Sequence, residues 1–302
     1  MHKSNFYMVL YVLMLLSLLF SHLSVAKTIH SERSLYRNIL VEETGNLRCL
    51  KFDEKSSQSS QSCMYINEPK KLVFNYTKLV FSSLLLIEDP KKVLIIGLGG
   101  GTLSNTISEL YPKAIIENIE IDPAVIKVAR DYFNFKESTK VTAKVQDGRI
   151  FIKRAALKKQ QFDWIILDAF NGDYIPEHLL TKEFFEELKS VLASDGVIAA
   201  NTFSSSKLYE HESATYNAVF GDFINVSRKN HSNRIILAGN KSTLTQAHIN
   251  KRVSELTPLL LPYGVNIKAI SQMLHFTKNN HDWPENTKVL TDQYSPANLL
   301  NF

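Results

Sequence analysis

Glycine and acidic residues recur in this sequence directly after apolar, β-branched runs. The residues that share this placement are Gly97, Gly99, Gly101, Glu120, Asp147, Gly148 and Asp168. Glycines let a backbone turn sharply and approach a ligand, and a following helix offers the NH groups of its first turn. A carboxylate at such a place can accept hydrogen bonds from both hydroxyls of a ribose, or from the amino group of an adenine. The residue types and their spacing therefore predict a nucleoside-binding site.

The glycine turn itself excludes two common nucleotide sites. A dinucleotide fingerprint would need a third glycine at position 102, which is occupied by Thr102. A phosphate-binding P-loop would need Gly-Lys-Ser or Gly-Lys-Thr, and neither follows. Because glycine clusters also form ordinary tight turns, the acids on the neighbouring strands carry most of the prediction.

The elements that must position these residues alternate along the chain. Strands are predicted at 92–97, 115–121, 141–146, 162–168 and 196–202, and helices at 103–110, 123–133, 149–158 and 178–193. Such alternation predicts an α/β fold with a doubly wound, mostly parallel, Rossmann-like sheet and right-handed crossovers. The carboxyl ends of the strands then meet at one edge, where open sheets of this kind bind ligands. Two later runs, "DFINVS" and "NRIILAG", are predicted to add a terminal antiparallel pair.

A segment of different character precedes this alternation. The runs "YRNILVEE", "LRCLKF" and "CMYINE" are short and β-like, so residues 31–75 are predicted to form a small antiparallel β-hairpin domain. Its two cysteines, Cys49 and Cys63, lie symmetrically about a polar tract and would face each other if that tract is a hairpin tip. A disulfide in an oxidising compartment and two unpaired thiols both stay open. Residues 76–302 are predicted to form the Rossmann-like nucleoside-binding domain.

Residues 1–26 are predicted to be a signal peptide or a membrane anchor. An apolar run from Phe6 to Phe20 precedes Ser24-Val25-Ala26, a small-x-small cleavage pattern. We therefore expect an exported protein, periplasmic or secreted. The alternative is an uncleaved membrane tether through residues 6–25, and the basic residues that follow it would then favour a cytoplasmic location for the domain.

Charge and histidine placement argue against two other classes of partner. The net charge is +5, but basic residues are scattered among acids and form no stripe, so no nucleic acid partner is predicted. The histidines have no metal-ligand spacing, so no metal site is predicted. The expectation that remains is a globular chain that binds a small molecule.

Several stretches resemble the spermidine synthase-like aminopropyltransferases, which are built on the class I S-adenosylmethionine-dependent methyltransferase fold. They are "VLIIGLGGGTL", "IEIDPAVIKVARDYF", "VQDGRIFI", the run from Phe162 to Phe203, and "LTDQYSP". The resemblance extends from about Ser34 to Pro296 and includes the small β unit. It implies decarboxylated S-adenosylmethionine as co-substrate and a small amine, a polyamine such as putrescine, as acceptor. It implies no metal and is compatible with a homodimer.

The resemblance also implies a role for each residue at the donor. Glu120 would bind the ribose of the nucleoside, and Asp147, followed by Gly148, would bind the adenine amino group. The backbone that lines the nucleoside and the sulfonium would come from Gly97, Gly99 and Gly101.

Two further residues, Asp168 and Tyr76, match catalytic positions of that family, and Asp173 aligns with the family's catalytic loop only approximately. Asp168 would be the base that takes a proton from the attacking amine, and the hydroxyl of Tyr76 would orient its carboxylate. Asp173 would be a second anchor for the amine. These three residues are therefore the predicted catalytic group.

Some positions depart from the family pattern. Thr102 stands where the resemblance implies an acid for the aminopropyl amine, and the loop after Asp168 is altered to "DAFNGDYIP". Lys78 would repel a polyamine if its side chain pointed inward. Two alternatives therefore stay open: a methyltransferase that uses S-adenosylmethionine itself, and a nucleoside-binding homologue without turnover.

Overall fold

The computed structural model describes residues 26–52, 60–170, 175–228, 232–239 and 244–294. The predicted signal or anchor segment, up to residue 25, lies outside these residues, and so does Asp173. Within the described ranges, no helix has both the length and the apolar character that a membrane crossing requires.

An antiparallel sheet forms the N-terminal part of the described chain. Its strands are β1 (Lys27–Arg33), β2 (Asn38–Thr44), β3 (Leu47–Phe52) and β4 (Ser60–Tyr65), in that spatial order. Strands β2, β3 and β4 correspond to the three runs predicted from the sequence. The sequence did not predict β1, because this edge strand, "KTIHSER", has Ile29 as its one strongly apolar residue and stays largely exposed.

A disulfide joins the third and fourth strands of this sheet. Cys49 and Cys63 are paired directly across β3 and β4, with their Cα atoms 4.1 Å apart. Of the two alternatives left open by the sequence, the bridged one is therefore correct. The bridge ties β4 to β3 beside Ser62, whose side chain lies against the glycine turn at Gly99.

The central sheet is mixed and has eight strands in the described residues. They are β5 (Lys92–Ile96), β6 (Ile115–Glu120), β7 (Val141–Val145), β8 (Phe162–Leu167), β9 (Leu192–Phe203), β10 (Ile224–Ser227), β11 (Asn233–Gly239) and β12 (Leu274–Phe276). The spatial order is β12-β10-β11-β9-β8-β5-β6-β7, in which β5 to β9 are parallel. Strands β10 and β11 form the predicted antiparallel pair, and the short β12 extends it.

Helices cover both faces of the central sheet. They are α1 (Asn75–Val80), α2 (Thr102–Leu110), α3 (Pro123–Tyr132), α4 (Gly148–Leu157), α5 (Lys182–Ser190), α6 (Tyr209–Phe220), α7 (Gln246–Leu260) and α8 (Ile267–Ser271). The predicted helix 178–193 is wrong at both ends. The hydroxyl of Thr181 accepts a hydrogen bond from Phe184 N and caps α5 there, and Leu192 already belongs to β9.

The core follows the alternation of side chains along the buried strands. On β5, Val93 and Ile95 belong to one apolar cluster, while Leu94 and Ile96 belong to the cluster on the opposite face. A third cluster packs the N-terminal sheet, through residues such as Leu50, against α3. This packing brings the N-terminal sheet to the carboxyl edge of the central strands.

Candidate active site

A pocket of about 240 Å³ opens at the carboxyl edge of the central sheet. Its wall contains most of the predicted site residues, namely Tyr76, Gly97, Gly99, Glu120, Asp147, Gly148 and Asp168. Gly101 does not line it: this residue precedes α2, and a Cβ placed on it would lie 2.7 Å from the ring of Phe135. Gly101 thus packs against the core, and its predicted contact with the ligand stays a prediction.

Gly97 fixes the distance between the glycine turn and Asp168. Its φ is +93°, and a Cβ placed on it would lie 2.2 Å from the backbone oxygen of Asp168. Asp168 N donates a hydrogen bond to Ile96 O at 2.8 Å, so the ends of β5 and β8 are held together. Only glycine allows both this conformation and this contact.

Glu120 is held in place by backbone NH groups and faces the pocket. Leu98 N donates to Oε2 at 3.0 Å and Asp122 N donates to Oε1 at 3.1 Å. Burial raises the pKa of Glu120, and these two hydrogen bonds act against the rise. A carboxylate has about four lone-pair sites, so each oxygen retains one for a ligand hydroxyl. Glu120 is therefore suited to the two hydroxyls of a ribose.

Asp122, only two residues further on, has a structural role. Its side chain is fully buried, accepts a hydrogen bond from Ala124 N at 3.0 Å, and caps α3. The hydroxyl of Ser34 donates to the same carboxylate at 2.6 Å. Of the two acids at the end of β6, only Glu120 lines the pocket.

Asp147 lines the pocket while also capping α4. Its Oδ1 accepts a hydrogen bond from Ile150 N at 2.9 Å, and its Oδ2 lies 3.0 Å from Nε2 of His178. His178, which also lines the pocket, is a residue that the sequence did not predict here. An adenine ring that bound to Asp147 would share Oδ2 with this histidine.

Asp168 is the centre of a hydrogen-bond network. Tyr76 Oη donates to its Oδ2 at 3.2 Å, and Asn201 Nδ2 donates to its Oδ1 at 2.9 Å. Asn233 Nδ2 in turn donates to Oδ1 of Asn201 at 3.1 Å. Neither asparagine was predicted, although Asn201 could have been noticed as a buried amide inside the apolar run of β9. The network fixes the orientation of the Asp168 carboxylate, which also faces the pocket.

The protonation behaviour of this network follows from its surroundings. Burial raises the pKa of Asp168 to about 7, the hydrogen bonds from Asn201 and Tyr76 act against this, and the charge of Glu120 adds to it. Burial, followed by the charge of Asp168, raises the pKa of Tyr76 well above its ordinary value. Tyr76 is therefore a hydrogen-bond donor at neutral pH, and Asp168 can take up and release a proton there.

A second pocket of about 750 Å³ lies beside the first. Gln61, Tyr76 and Phe170 line both pockets, so Tyr76 and the carboxylate that it contacts lie where the two meet. The wall of the second pocket is partly apolar, with contributions from Phe74, Leu79, Phe203, Ile270 and Met273. Lys78 is also among the residues that line it.

Unpaired polar atoms mark the first pocket as a site for a polar ligand. Arg37 Nε, Ser104 Oγ and Asn118 Oδ1 are buried without a hydrogen-bond partner in the described part of the chain, and all three residues line this pocket. Buried polar groups normally have partners, so a ligand with donors and acceptors fits here. Within the same part of the chain, no group of three or more His, Cys, Asp or Glu side chains could hold a metal ion.

Most of the chain is similar in sequence to polyamine aminopropyltransferases. Residues 74–226 match the model of the spermine/spermidine synthase domain. The polyamine aminopropyltransferase of Vibrio vulnificus (strain CMCP6) is 43% identical over 290 residues, which cover 95% of this chain and 96% of that protein. The segment that matches the family model begins just before Tyr76 and ends within β10, so it includes most residues of the first pocket but not the C-terminal wall of the second.

Solved structures share the fold. A probable spermidine synthase from Corynebacterium glutamicum matches with a TM-score of 0.69 at 20% identity, covering 88% of this chain and 97% of that one. A spermidine synthase in complex with the transition state analogue AdoDATO matches with a TM-score of 0.58 at 19% identity, covering 78% and 88%. These likenesses confirm the predicted class I methyltransferase-like fold.

Proposed function

The chain belongs to the spermine/spermidine synthase family of transferases, and we propose that it moves the aminopropyl group of decarboxylated S-adenosylmethionine to a primary amine, with putrescine as the acceptor. The observation that carries the proposal is the location of Asp168. Its carboxylate faces the first pocket, and its partners Tyr76 and Asn201 line the second. A donor in one pocket and an amine in the other would therefore meet at one base.

The first pocket fits the nucleoside part of the donor. Glu120 offers lone pairs to the ribose, and Asp147 offers one to the adenine amino group. The glycine turn at Gly97 and Gly99 allows the ligand to approach the backbone closely. Binding would thus hold the sulfonium end of the donor near Asp168, where the negative charge favours it.

The reaction is a displacement at the aminopropyl carbon that is bonded to the sulfonium. The nitrogen lone pair of the acceptor forms the new C–N bond, and the C–S bond breaks with its electron pair passing to sulfur. The products are the longer amine and methylthioadenosine, a neutral thioether. Because the sulfonium is already a good leaving group, the protein has to align the reactants and remove one proton.

Asp168 is the group that removes the proton. A free alkylamine has a pKa of about 10.4, so it arrives protonated and cannot attack. A carboxylate whose pKa lies near 7 is a stronger base than an ordinary aspartate and is still largely ionised at slightly alkaline pH. Tyr76 and Asn201 hold the two oxygens so that a lone pair of Asp168 remains directed at the amine.

The test is a comparison of donors with the full-length protein. Calorimetric titration with S-adenosylmethionine, its decarboxylated form and methylthioadenosine measures donor binding, and mass spectrometry after adding putrescine detects spermidine. We expect the decarboxylated donor to bind more tightly than the intact one and spermidine to appear. Preference for the intact donor would instead support methyl transfer. The observation that favours this alternative is the absence of an acid in the 97–102 glycine turn. Absence of any nucleoside binding would exclude both enzymatic readings.

We also propose that this domain works in an oxidising compartment, as expected for an exported protein. The supporting observation is the disulfide between Cys49 and Cys63, since such bridges persist outside the reducing cytoplasm. Fractionation of cells, with alkylation of free thiols before lysis, tests this. Bridged cysteines in an exported fraction support the proposal, and alkylated thiols in the cytoplasmic fraction contradict it.

A further inference from the structure

The second pocket carries positive charge on its wall. Lys78 on α1 and Arg228 just after β10 both line it, and none of the described lining residues is acidic. Neither cation has a carboxylate within salt-bridge distance in the described part of the chain. An acceptor that enters this pocket therefore meets two cations that no carboxylate of the described residues pairs with.

Neighbouring charge adds to this field. Burial, and then the charge of Lys71, lower the pKa of Lys78. Lys71 lies against Gly264, which is part of the pocket wall, and its ammonium is 3.5 Å from the exposed carboxylate of Glu68. The pKa of Lys78 is thus lowered first by burial and second by a neighbouring cation.

An acceptor would place its parts in this pocket in a defined order. Its attacking nitrogen must lie beside Asp168, where it loses a proton, so the remaining chain extends into the second pocket. The apolar side chains of Phe74, Leu79 and Met273 suit a methylene chain. Every further ammonium on that chain is repelled by Lys78 and Arg228.

We propose that Lys78 and Arg228 are specificity-determining residues that limit the acceptor to short amines of low charge, so that the pocket admits a diamine and rejects a triamine. The inference rests on the proposed aminopropyl transfer and assigns the acceptor class of the same site. It explains how one pocket can accept methylene chains and still discriminate between acceptors that have the same reactive end.

A series of acceptors with one reactive end tests this proposal. 4-Aminobutyrate, butylamine and putrescine share a four-carbon chain and differ in the charge at the far end, and spermidine adds one more ammonium to putrescine. In Lys78→Gln and Arg228→Gln we expect kcat/KM to rise about fivefold per removed cation for putrescine. The rise should be larger for spermidine, absent for butylamine and reversed for 4-aminobutyrate.

Two control variants separate charge from shape. Lys78→Arg keeps the charge and should retain the wild-type order of acceptors. Lys127→Gln removes a charge from α3 that lines neither pocket, so all four acceptors should be unaffected. Equal changes for all acceptors in the Lys78 and Arg228 variants, or equal use of putrescine and spermidine by the wild type, would overturn the proposal.

A binding measurement keeps this proposal distinct from the proposed reaction. Putrescine and spermidine are titrated into the protein with methylthioadenosine present, which needs no turnover. Weaker binding of spermidine, relieved in the double variant Lys78→Gln/Arg228→Gln, supports the charge filter even if no aminopropyl group is transferred. Turnover with putrescine but identical affinities in wild type and variant would contradict the filter and leave the reaction intact.

Discussion

The two pockets of this protein are built in different ways. The first is formed by the ends of neighbouring parallel strands, with the glycine turn after β5 and the acids after β6, β7 and β8. The second is assembled from side chains that are distant in sequence, such as Phe74, Lys78, Arg228 and Met273. In the proposed function the first is the donor pocket and the second is the acceptor pocket. Backbone and strand order therefore define the donor pocket, while side-chain identity defines the acceptor pocket.

This difference suggests which properties of the enzyme can change independently. A substitution in the donor pocket alters a backbone arrangement that also positions the base. A substitution in the acceptor pocket alters charge or volume on α1, α8 and the loop after β10 without moving that arrangement. Asp168 lines the first pocket and its partners Tyr76 and Asn201 line the second, so its variants should have the largest effect.

Replacement of the base breaks the connection between the pockets. In Asp168→Asn we expect turnover to fall by about 100- to 10,000-fold, the usual contribution of general acid–base catalysis, while affinity for methylthioadenosine stays within a few-fold. Single-turnover kinetics and calorimetry measure the two quantities. Asp163→Asn is the matched control, because Asp163 lies at the opposite end of the same strand and accepts hydrogen bonds from Lys91 N and Lys92 N. An equal loss of affinity and turnover would contradict the role of Asp168 as base.

The same variant has a pH signature in stability. The folded-state pKa of Asp168 is raised from 3.8 to about 7, so the native state binds this proton more tightly than the unfolded state. Its contribution to stability is therefore present at low pH and lost as pH rises from about 4 to 7. Asp168→Asn should match the wild type in thermal stability near pH 4 and exceed it near pH 8. A variant that is less stable than the wild type at both pH values would show that ionisation of the Asp168 carboxylate does not destabilise the folded state.

A side chain at position 97 should damage the donor pocket and the base together. Gly97→Ala combines a positive φ with a Cβ that would lie 2.2 Å from the backbone of Asp168, so donor affinity and turnover should both fall. The matched control is Gly221→Ala, which also has a positive φ but no atom within 4 Å of the added Cβ. Its cost should be confined to stability, at about 1–3 kcal/mol. Equal effects of the two variants on turnover would contradict the close-contact argument.

Removal of the ribose acceptor should affect the first pocket alone. In Glu120→Gln we expect donor affinity to fall by roughly 10- to 100-fold, the equivalent of about 1.5–3 kcal/mol for hydrogen bonds to a charged group. Acceptor KM should change little. Glu117→Gln, on the same strand but outside the pocket and paired with Lys144, is the control for general effects on β6. A rise in acceptor KM equal to the loss of donor affinity would show that the pockets are not separable.

The smallest expected effect is a shift of the pH profile. Protonated Asp168 cannot accept a proton, so kcat/KM should fall as pH drops through about 7. Asn201 lowers the pKa of Asp168 by its hydrogen bond, so Asn201→Leu should move this acidic limb to higher pH. The profile is measured between pH 5 and 9, with Asn225→Leu as the control, because Asn225 is a buried amide on β10 that lines neither pocket. An unmoved limb would mean that Asn201 positions the carboxylate without tuning it.

The same contrast explains what the sequence could predict. Strand alternation and the acids after each strand placed Glu120, Asp147 and Asp168 at one edge, because parallel strands share a carboxyl end. Gly101 was grouped with Gly97 and Gly99 but lies outside the lining of the first pocket, since sequence spacing does not reveal which side of a turn faces the core. Tyr76 lies on α1, which precedes those strands in the sequence, and it was placed by family resemblance rather than by spacing.

The partners of the base could not be obtained from sequence. Asn201 reaches Asp168 because β9 pairs parallel with β8, and Asn233 reaches Asn201 because β11 pairs antiparallel with β9. Their contact depends on register, and a shift of one residue would turn either amide to the opposite face. The sequence indicated that Lys78 would repel a polyamine if its side chain pointed inward, but the direction of that side chain depends on how α1 packs. These contacts depend on packing between elements that are distant in sequence, and a local sequence pattern does not predict such packing.

The contact between Gly97 and the backbone of Asp168 has a consequence for engineering. Gly97, which would lie under the leaving sulfur, and Asp168, which would take the proton, are held in one rigid unit. Neither residue can therefore be moved without displacing the other. Variants that use a new acceptor should therefore be sought by substitution in the wall of the second pocket. A new donor would require changes to the catalytic centre itself.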